Sequence, residues 1–472
     1  MPRELITVQI GQCGNQVGCR FWELALKEHA ANNPRGVYDE SLSSFFKNVD
    51  TRYEPPKELP VGDGTSQILN LKARAVIVDM EEGVVNEALK GPLRELFDEK
   101  QLLTDVSGSG NNWAHGFGVY GPQYRENLLE TIRRPAEQCD SLQSFLILHS
   151  LGGGTGSGLG SYMLQMLADE YPDVYRFATS IFPSEDDDVI TSPYNAMLTL
   201  SHLAEDADCV FPVDNQSLAE ICGRIESLAH KSRASSSLSG PRDSHSKPFD
   251  AMNGIAANLL LGVTSSVRFE GSLNVDLNEI TNNLVPYPRM HFLLPSMSPF
   301  ATPRDVGMAR AGSRALETSF SQCFSREHQL LRAEPRRSTY LACGMLFRGD
   351  VTMSDVQRNM ARIKPSLRMV PWNTEGFKIG LCGVPPADAP LSVTCLSNNC
   401  CVRGTFTSMQ ERFMKLYKRK VYVHHYTRYM EAAVFDQALE DVHSLIEDYA
   451  GLDSLPQDSG YTRMRPLGTS FL

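Results

Sequence analysis

The first half of the chain alternates short apolar runs with amphipathic helical stretches. Because such alternation is typical of βαβ units, it predicts a parallel sheet that is covered by helices on both faces. Ligands of such sheets bind in the loops that follow the carboxyl ends of the strands, so these loops are where chemistry is expected. The runs that predict buried strands are Leu5–Ile10, Ala75–Asp79, Phe145–His149, Phe177–Phe182 and Cys209–Val213.

The second half carries a different pattern. Residues Ala251–Gly262 are apolar on nearly every side, which predicts a buried central helix. Further strands and helices follow and predict a second α/β domain, and the last 70 or so residues read as a helical region. The predicted domains are residues 1–230, 231–398 and 399–472, the later strands are His291–Pro295, Tyr340–Phe347, Phe377–Leu381 and Leu391–Leu396, and the last helices are Thr405–Lys420 and Glu431–Ala450.

Composition narrows the possible functions. The 472 residues are 42% apolar and 21% charged, which is ordinary for a chain that buries real cores. A net charge of −11 argues against broad nucleic-acid binding, which needs a surplus of cations. No apolar run approaches the ~20 residues that cross a bilayer, so no membrane partner is expected. Eleven cysteines without a CxxC pair predict reduced, buried thiols in the cytoplasm rather than a zinc site.

The most specific local signal is the glycine-rich loop Gly152–Gly158, which follows the strand Phe145–His149 and precedes a helix. Glycines let backbone N–H groups approach a phosphate, and the helix points its positive end to the same place. A flexible connection is the alternative, but such linkers seldom lie between a buried strand and a helix. The loop lacks the P-loop lysine and the GxGxxG pattern, which disfavours a dinucleotide-dependent oxidoreductase.

Three other loops fit the same site. Gly11–Gln16 brings amide side chains, Asp79–Gly83 brings carboxylates suited to a magnesium-bound phosphate, and Ser107–Trp113 is a second glycine-rich turn. Each alone is more typical of a plain turn. Taken together, four such loops in a chain of alternating strands and helices indicate one phosphate site with a divalent cation.

Five motifs together resemble the tubulin family. They are GQCGNQ, GSGNNWA, GGGTGSG, PYNAML at Pro193–Leu198 and GSLNVDLNE at Gly271–Glu279. The resemblance extends from residue 1 to about 450, and within the family the chain is most similar to the ε-tubulins. It implies the tubulin fold: a parallel, Rossmann-like GTP-binding sheet, a second α/β domain and a C-terminal helical region.

The resemblance also implies a site for GTP or GDP with Mg²⁺. An asparagine amide offers a donor and an acceptor together, which recognition of guanine requires. Without the resemblance, such asparagines are more typical of caps and turns. The implied site residues are Gln12, Asn111, Ser150, Gly153, Gly154, Thr155 and Gly156 at the phosphates, Cys13 beside the nucleotide, Asp188 at the ribose, Asn215, Phe249 and Asn253 at the guanine, and Asp79 and Glu81 at the magnesium.

The loops at the predicted site show no base that is aimed at an attacking water. The resemblance implies that Glu279 supplies this group in trans, to the nucleotide of a neighbouring subunit. A solvated glutamate in the first turn of a helix is the alternative, since the helix dipole favours it there. The implied contact is head-to-tail and heterologous, and such contacts generate open filaments.

The chain departs from conventional tubulins at several positions. Ser192 stands where they have an acidic residue that faces the sugar, and Phe249 stands in place of a tyrosine. Residues 451–472 carry no net charge, so the acidic tail is missing. The segment His230–Lys247, with four cations, one Asp and seven serines, predicts an exposed loop that is either a tolerated insertion or a modifier of end-to-end assembly.

The implied role is that of a cytoskeletal subunit at the centrosome, centrioles and basal bodies. The implied partners are δ-tubulin or α/β-tubulin together with centriolar proteins. A nucleotide-gated adaptor that does not polymerise is the alternative.

Overall fold

The structure is a computed structural model. It describes residues 3–34, 36, 38–53, 56–61, 68–184, 187–235, 249–300, 313–373 and 376–454. Most of the predicted Ser-rich loop, residues 236–248, lies outside the described residues.

The first half folds around a six-stranded parallel sheet in the order β6-β5-β1-β7-β8-β9, as predicted. The central strands are buried along almost their whole length because helices cover both faces. Strand β6 was not predicted, since three partly exposed residues form no apolar run. The strands are β1 (Glu4–Ile10), β5 (Ala75–Asp79), β6 (Leu102–Thr104), β7 (Leu142–Ser150), β8 (Tyr175–Phe182) and β9 (Cys209–Asp214).

The helices of this half connect the strands. Gly11 follows β1 directly and has φ +71°, and a Cβ on it would lie 2.9 Å from the backbone nitrogen of Gly156. The last helix continues to Ser235, so the exposed loop that was predicted from His230 begins later than expected. The helices are α1 (Gly11–Asn32), α2 (Glu82–Lys90), α3 (Trp113–His115), α4 (Gly121–Glu137), α5 (Gly160–Glu170), α6 (Ser192–Asp206) and α7 (Asn215–Ser235).

A small antiparallel sheet that the sequence did not predict lies beside α1, in the order β3-β2-β4. The Trp22 ring of α1 packs edge-on against Phe45 and Phe46, with ring centroids 6.0 and 5.4 Å apart. The strands are β2 (Phe46–Asp50), β3 (Lys57–Leu59) and β4 (Leu71–Ala73).

The second α/β unit is a four-stranded mixed sheet in the order β10-β13-β11-β12, which confirms the predicted second unit. The predicted central helix is also present as α8, and its Gly262 lies directly against the side chain of Thr394. The elements are α8 (Asp250–Val263), α9 (Ser265–Arg268), α10 (Leu277–Leu284), β10 (Leu293–Ser298), α11 (Ser313–Cys323), β11 (Tyr340–Gly349), α12 (Met353–Ile363), β12 (Phe377–Cys382) and β13 (Leu391–Asn399).

A buried ion cluster joins the two units. Glu28 of α1 pairs with Arg268 at 2.8 Å and with Arg348 of β11 at 2.9 Å. Burial opposes ionisation of Glu28, but the two guanidinium groups outweigh it and hold its pKa below the usual value. Removing one member of such a cluster leaves a buried charge unpaired, which costs about 3–5 kcal/mol. The cluster therefore ties α1 to the end of the central helix and to the second sheet.

The C-terminal region is helical, as predicted, and it packs on α6. The ring of Tyr194 contacts Phe413 and Phe435, with centroids 5.4 and 5.2 Å apart. Within the described residues, no helix has the length and apolar character that a bilayer crossing requires. The helices are α13 (Val402–Tyr417), α14 (Val423–Tyr426) and α15 (Ala433–Asp453).

Candidate nucleotide site

A cavity of about 290 Å³ opens at the carboxyl edge of the parallel sheet. It is lined by the first turns of α1, by the loops that follow β5, β6 and β7, and by the starts of α7 and α8. The structure therefore brings together the residues that sequence reasoning assigned to phosphate, guanine and magnesium. Those that line the cavity are Gln12, Cys13, Asp79, Glu81, Asn111, Ser150, Gly153, Gly154, Thr155, Gly156, Asn215, Phe249 and Asn253.

The glycine-rich loop is held against the neighbouring loop. A Cβ on Gly154 would collide with the hydroxyl of Ser109 and would come within 2.6 Å of the Asn112 nitrogen. The hydroxyls of Ser109 and Thr155 lie 3.1 Å apart. Gly153 instead faces open space, because a Cβ there would meet its nearest atom, the Ser150 hydroxyl, at 3.7 Å. The backbone at Gly153 is thus open to a phosphate group.

His149 supports the glycine-rich loop from below. Its Nδ1 lies 3.0 Å from the carbonyl oxygen of Gly156, and its Nε2 lies 2.8 Å from the hydroxyl of Ser180. Burial lowers the pKa of His149 to about 4, although the bond to Gly156 acts in the opposite direction. The ring is therefore neutral near pH 7, and it donates from Nδ1 to Gly156 while it accepts from Ser180.

Asn195 joins two cavity loops to the C-terminal helices. Its amide nitrogen donates to the carbonyl oxygens of Asn111 and Gly152, each at 2.9 Å. Its amide oxygen accepts from the backbone nitrogen of Trp113 at 3.0 Å and from the hydroxyl of Tyr426 at 2.6 Å. The side chain is fully buried. Sequence reasoning used Asn195 only as part of the PYNAML motif and missed this bridging position.

Asp79 and Glu81 form the acidic wall of the cavity. Asp79 accepts from the Asn15 amide and from the Glu81 backbone nitrogen, each at 3.3 Å. Burial raises the pKa of Asp79 to about 6, which those bonds only partly offset. The described residues contain no group of three or more metal-ligating side chains. Two carboxylates nevertheless fit Mg²⁺, because this ion is usually held by one or two carboxylates, waters and substrate phosphates.

The far end of the cavity is formed by α7 and α8. Asn215 is the first residue of α7, and Asn253 lies in the first turn of α8, where its backbone nitrogen donates to Phe249 at 2.8 Å. Phe249 has φ +73° and its side chain is 57% exposed. A left-handed phenylalanine is unusual, and such strain is concentrated at functional sites. Two amides and one exposed ring thus surround a space that suits a flat, polar base.

Other residues line the cavity beyond those that were assigned a role. They include Gln16 and Ser109, which lie inside the quoted motifs, and Val189 and Met252, which belong to no motif. Cys13 has a thiol whose pKa burial raises to about 12. It stays protonated at neutral pH, so it contributes shape rather than a nucleophile.

The structure does not bring Asp188 to the cavity wall. Its side chain is exposed, and the neighbouring Val189 lines the cavity instead. Ser192 donates to the carboxylate of Asp187 at 2.9 Å, and that carboxylate lies beside Gly152. The preceding aspartate is thus the one that turns towards the glycine-rich loop, and the contact between Asp188 and a ribose stays a prediction.

Glu279 lies at the opposite edge of the sheet. It occupies the first turn of α10, where Asp276 accepts from its backbone nitrogen at 2.8 Å. Asp276 pairs with Arg3 at 2.7 Å, just before β1, and α10 also contacts Tyr175 at the start of β8. Since β1 has seven residues and spans about 23 Å, Glu279 cannot reach the cavity of its own chain.

Comparison with known proteins identifies the family. The family model for the "Tubulin/FtsZ family, GTPase domain" matches residues 4–223, and the model for the "Tubulin C-terminal domain" matches residues 288–411. The tubulin epsilon chain of Mus musculus is 54% identical over 465 residues, which cover 95% of this chain and 96% of the mouse protein. The chain belongs to the tubulin family.

Two further relatives are a second epsilon chain and a more distant tubulin. The human tubulin epsilon chain is also 54% identical, with 95% of this chain and 96% of that protein covered. The tubulin alpha-3 chain of Saccharomyces cerevisiae is 35% identical over 97% of this chain and all of the yeast protein. The resemblance to ε-tubulins inferred from the motifs is therefore confirmed, and the chain is a GTP-binding, cytoskeletal member of the family.

Proposed function

We propose that this tubulin binds GTP in the cavity at the carboxyl edge of the sheet and assembles head-to-tail with another tubulin at centrioles and basal bodies. The observation that carries the proposal is the convergence of the four segments after β1, β5, β6 and β7 on one cavity. Open glycine backbone lies at one end and two asparagine amides lie at the other, which fits a phosphate chain joined to guanine.

Mg²⁺ is proposed to lie beside the phosphates at Asp79 and Glu81. A bound divalent cation neutralises charge that develops on the phosphoryl oxygens during transfer to water. Because Asp79 is buried and accepts only two long hydrogen bonds, its carboxylate gains from a nearby cation. Asn15 holds that carboxylate in place from α1.

Two faces with exposed apolar side chains support head-to-tail contact. Around the cavity mouth, Val106, Ile190 and Phe249 are exposed. At the other end of the molecule, around α10, Tyr287 and Trp372 are exposed and pack edge-on with ring centroids 6.2 Å apart. Exposed aromatic and aliphatic side chains are typical of interaction surfaces. Two different faces of this kind suit a heterologous contact.

Such a contact is proposed to complete a hydrolytic site. The cavity has phosphate donors and carboxylates for Mg²⁺, whereas Glu279 lies at the far edge of the sheet. In a head-to-tail pair, Glu279 of one subunit faces the nucleotide of the next, where it orients water for attack on the terminal phosphate. Each chain would thus supply the nucleotide cavity to one hydrolytic site and Glu279 to another.

The cellular role rests on similarity. The 54% identity to the epsilon chains supports a place at the centrosome, centrioles and basal bodies. The proposed partners are δ-tubulin or α/β-tubulin together with centriolar proteins.

A second candidate is a nucleotide-gated adaptor that does not polymerise. The observation that favours it is the ion pair between Glu279 and Lys378, whose carboxylate oxygen and ammonium nitrogen lie 2.5 Å apart. A carboxylate engaged in this way is less available to activate water. In this case the nucleotide controls partner binding and is not hydrolysed.

Electron microscopy separates the two candidates. Purified protein is incubated with GTP, alone and with α/β-tubulin, and is compared with a Trp372→Ala, Tyr287→Ala variant. The assembly proposal expects head-to-tail oligomers or incorporation into filaments, which the variant loses. Monomers under all conditions, with GTP bound, would instead support the adaptor.

A further inference from the structure

The end of α13 and the turn around α14 form a strongly basic surface. From Arg412 to Met430 the chain has six Lys or Arg residues and no Asp or Glu, although its overall net charge is −11. Arg412 is half-buried and donates to the carbonyl oxygen of Ser184 at 3.2 Å. The other five cations are exposed and are named the basic turn: Lys415, Lys418, Arg419, Lys420 and Arg428.

These cations are not neutralised within the described part of the chain. None of the five forms an ion pair with a described carboxylate, and Lys420 lies over the ring of Tyr417 at 4.0 Å. Cations at the end of a helix are favoured by its dipole, but that effect is confined to the last turn. It does not account for Arg428, which follows α14. The positive charge of the basic turn is therefore available to a partner.

The basic turn is held in a fixed shape from beneath. Lys420 and Tyr422 both have left-handed backbones, with φ +52° and φ +60°. The Tyr194 hydroxyl donates to the carbonyl oxygen of Val421 at 2.8 Å, and Asn112 donates to that of His425 at 3.0 Å. Because the backbone of this surface is already ordered, it loses little conformational entropy when a partner binds.

We propose that the basic turn binds an acidic polypeptide segment, rich in Glu or Asp, from a partner protein. Charges farther away than about 8–10 Å are largely screened at physiological ionic strength, so a short acidic segment meets mainly these five cations. A long polyanion or an anionic membrane would also face the acidic remainder of the molecule, which opposes binding. The exposed ring of Tyr429 offers a polypeptide an apolar contact beside the charges.

The test uses the full-length protein and a fluorescent ten-residue Glu-rich peptide, with a Gln peptide of the same length for comparison. The charge-reversed variant is Lys415→Glu, Lys418→Glu, Arg419→Glu. The matched control is Lys90→Glu, Lys100→Glu, Arg94→Glu, which changes the net charge equally at exposed sites elsewhere. Anisotropy is measured at low and high salt, with a single-stranded DNA oligomer and phosphatidylserine vesicles as competing ligands. Thermal unfolding and GTP affinity report whether each variant is folded.

The proposal expects the Glu peptide to bind more tightly than the Gln peptide and to weaken as salt rises. The charge-reversed variant should lose roughly tenfold or more in affinity, because the reversal removes three attractive charges and adds repulsion. The control should bind as the wild type does. Equal binding by the charge-reversed variant, or tighter binding of DNA or vesicles than of the peptide, would overturn the proposal whether or not GTP binds.

Discussion

The hydroxyl of Tyr426 donates to the amide oxygen of Asn195 across 2.6 Å, and both side chains are fully buried. Asn195 in turn donates to the carbonyl oxygens of Asn111 and Gly152, one on each of two cavity loops. The C-terminal helices are thereby bonded to the phosphate end of the nucleotide site. The Asn195 amide therefore couples the position of the C-terminal helices to the position of the two cavity loops.

This arrangement predicts unequal effects of two substitutions. Tyr426→Phe removes one hydrogen bond, but the Asn195 oxygen still accepts from the backbone nitrogen of Trp113. The free energy of unfolding should therefore fall by about 1 kcal/mol. Asn195→Ala leaves several buried groups without partners and should cost about 3 kcal/mol or more, with weaker GTP binding. Urea unfolding and GTP titration measure both. Equal losses from the two variants would contradict the bridging role of Asn195.

Substitution of Gly153 tests whether the glycine-rich loop binds the phosphates. A Cβ there meets no atom closer than 3.7 Å, so Gly153→Ala should fold normally but place a methyl group where a phosphate would lie. GTP binding should weaken by about 1–3 kcal/mol, and guanosine binding should not change. The control is Gly223→Ala on α7, where a Cβ has no neighbour within 4 Å. If Gly153→Ala weakened guanosine and GTP alike, the glycine-rich loop would not be the phosphate site.

The buried His149 predicts a pH dependence of stability. In the unfolded chain its pKa returns to about 6.5, whereas burial lowers the folded pKa to about 4. Between these values the unfolded state binds more protons, so the free energy of unfolding should fall as pH falls, by up to about 1.4 kcal/mol per pH unit for this residue. His149→Gln should reduce the slope measured by urea unfolding from pH 7 to 5. A slope that His149→Gln leaves unchanged would contradict this account.

Much of this architecture could be predicted from the sequence because its elements are long and apolar. The strand Ala75–Asp79 was predicted with the bounds that the structure shows, and the central helix differs by one residue at each end. Strands β3, β4 and β6 were missed, since three residues each are too few to show a period. Their position is set by pairing with neighbours, which a local pattern does not contain.

The candidate site was also predicted only in part. Loops with glycines, amides or carboxylates were found because these groups are needed for phosphates and cations. Val189 and Met252 were missed because apolar lining residues resemble any other apolar residue. The approach of Asp187 to the glycine-rich loop was not predicted, because three aspartates follow one another at 186–188 and the direction of each side chain depends on the fold of the loop.

Complementation tests the action of Glu279 in trans. Glu279→Ala should bind GTP normally but slow hydrolysis by about 10²–10⁴ in any assembly. A second variant, Gly153→Ala, keeps Glu279 but binds GTP more weakly, so its cavity is mostly empty at a limiting GTP concentration. A mixture of the two should hydrolyse GTP faster than the sum of the separate variants, because Glu279 of one faces the intact cavity of the other. Full activity of Glu279→Ala alone would contradict this assignment.

The most direct measurement is equilibrium binding of GTP and ATP to the wild type and to Asn253→Ala, with Asn127→Ala on the exposed face of α4 as the control. If the cavity reads guanine through Asn215 and Asn253, the wild type should strongly prefer GTP. Asn253→Ala should then lose about 1–3 kcal/mol of GTP affinity, or roughly 5- to 150-fold, and Asn127→Ala should lose none. Equal affinity of the wild type for GTP and ATP would contradict a guanine-nucleotide site in this cavity.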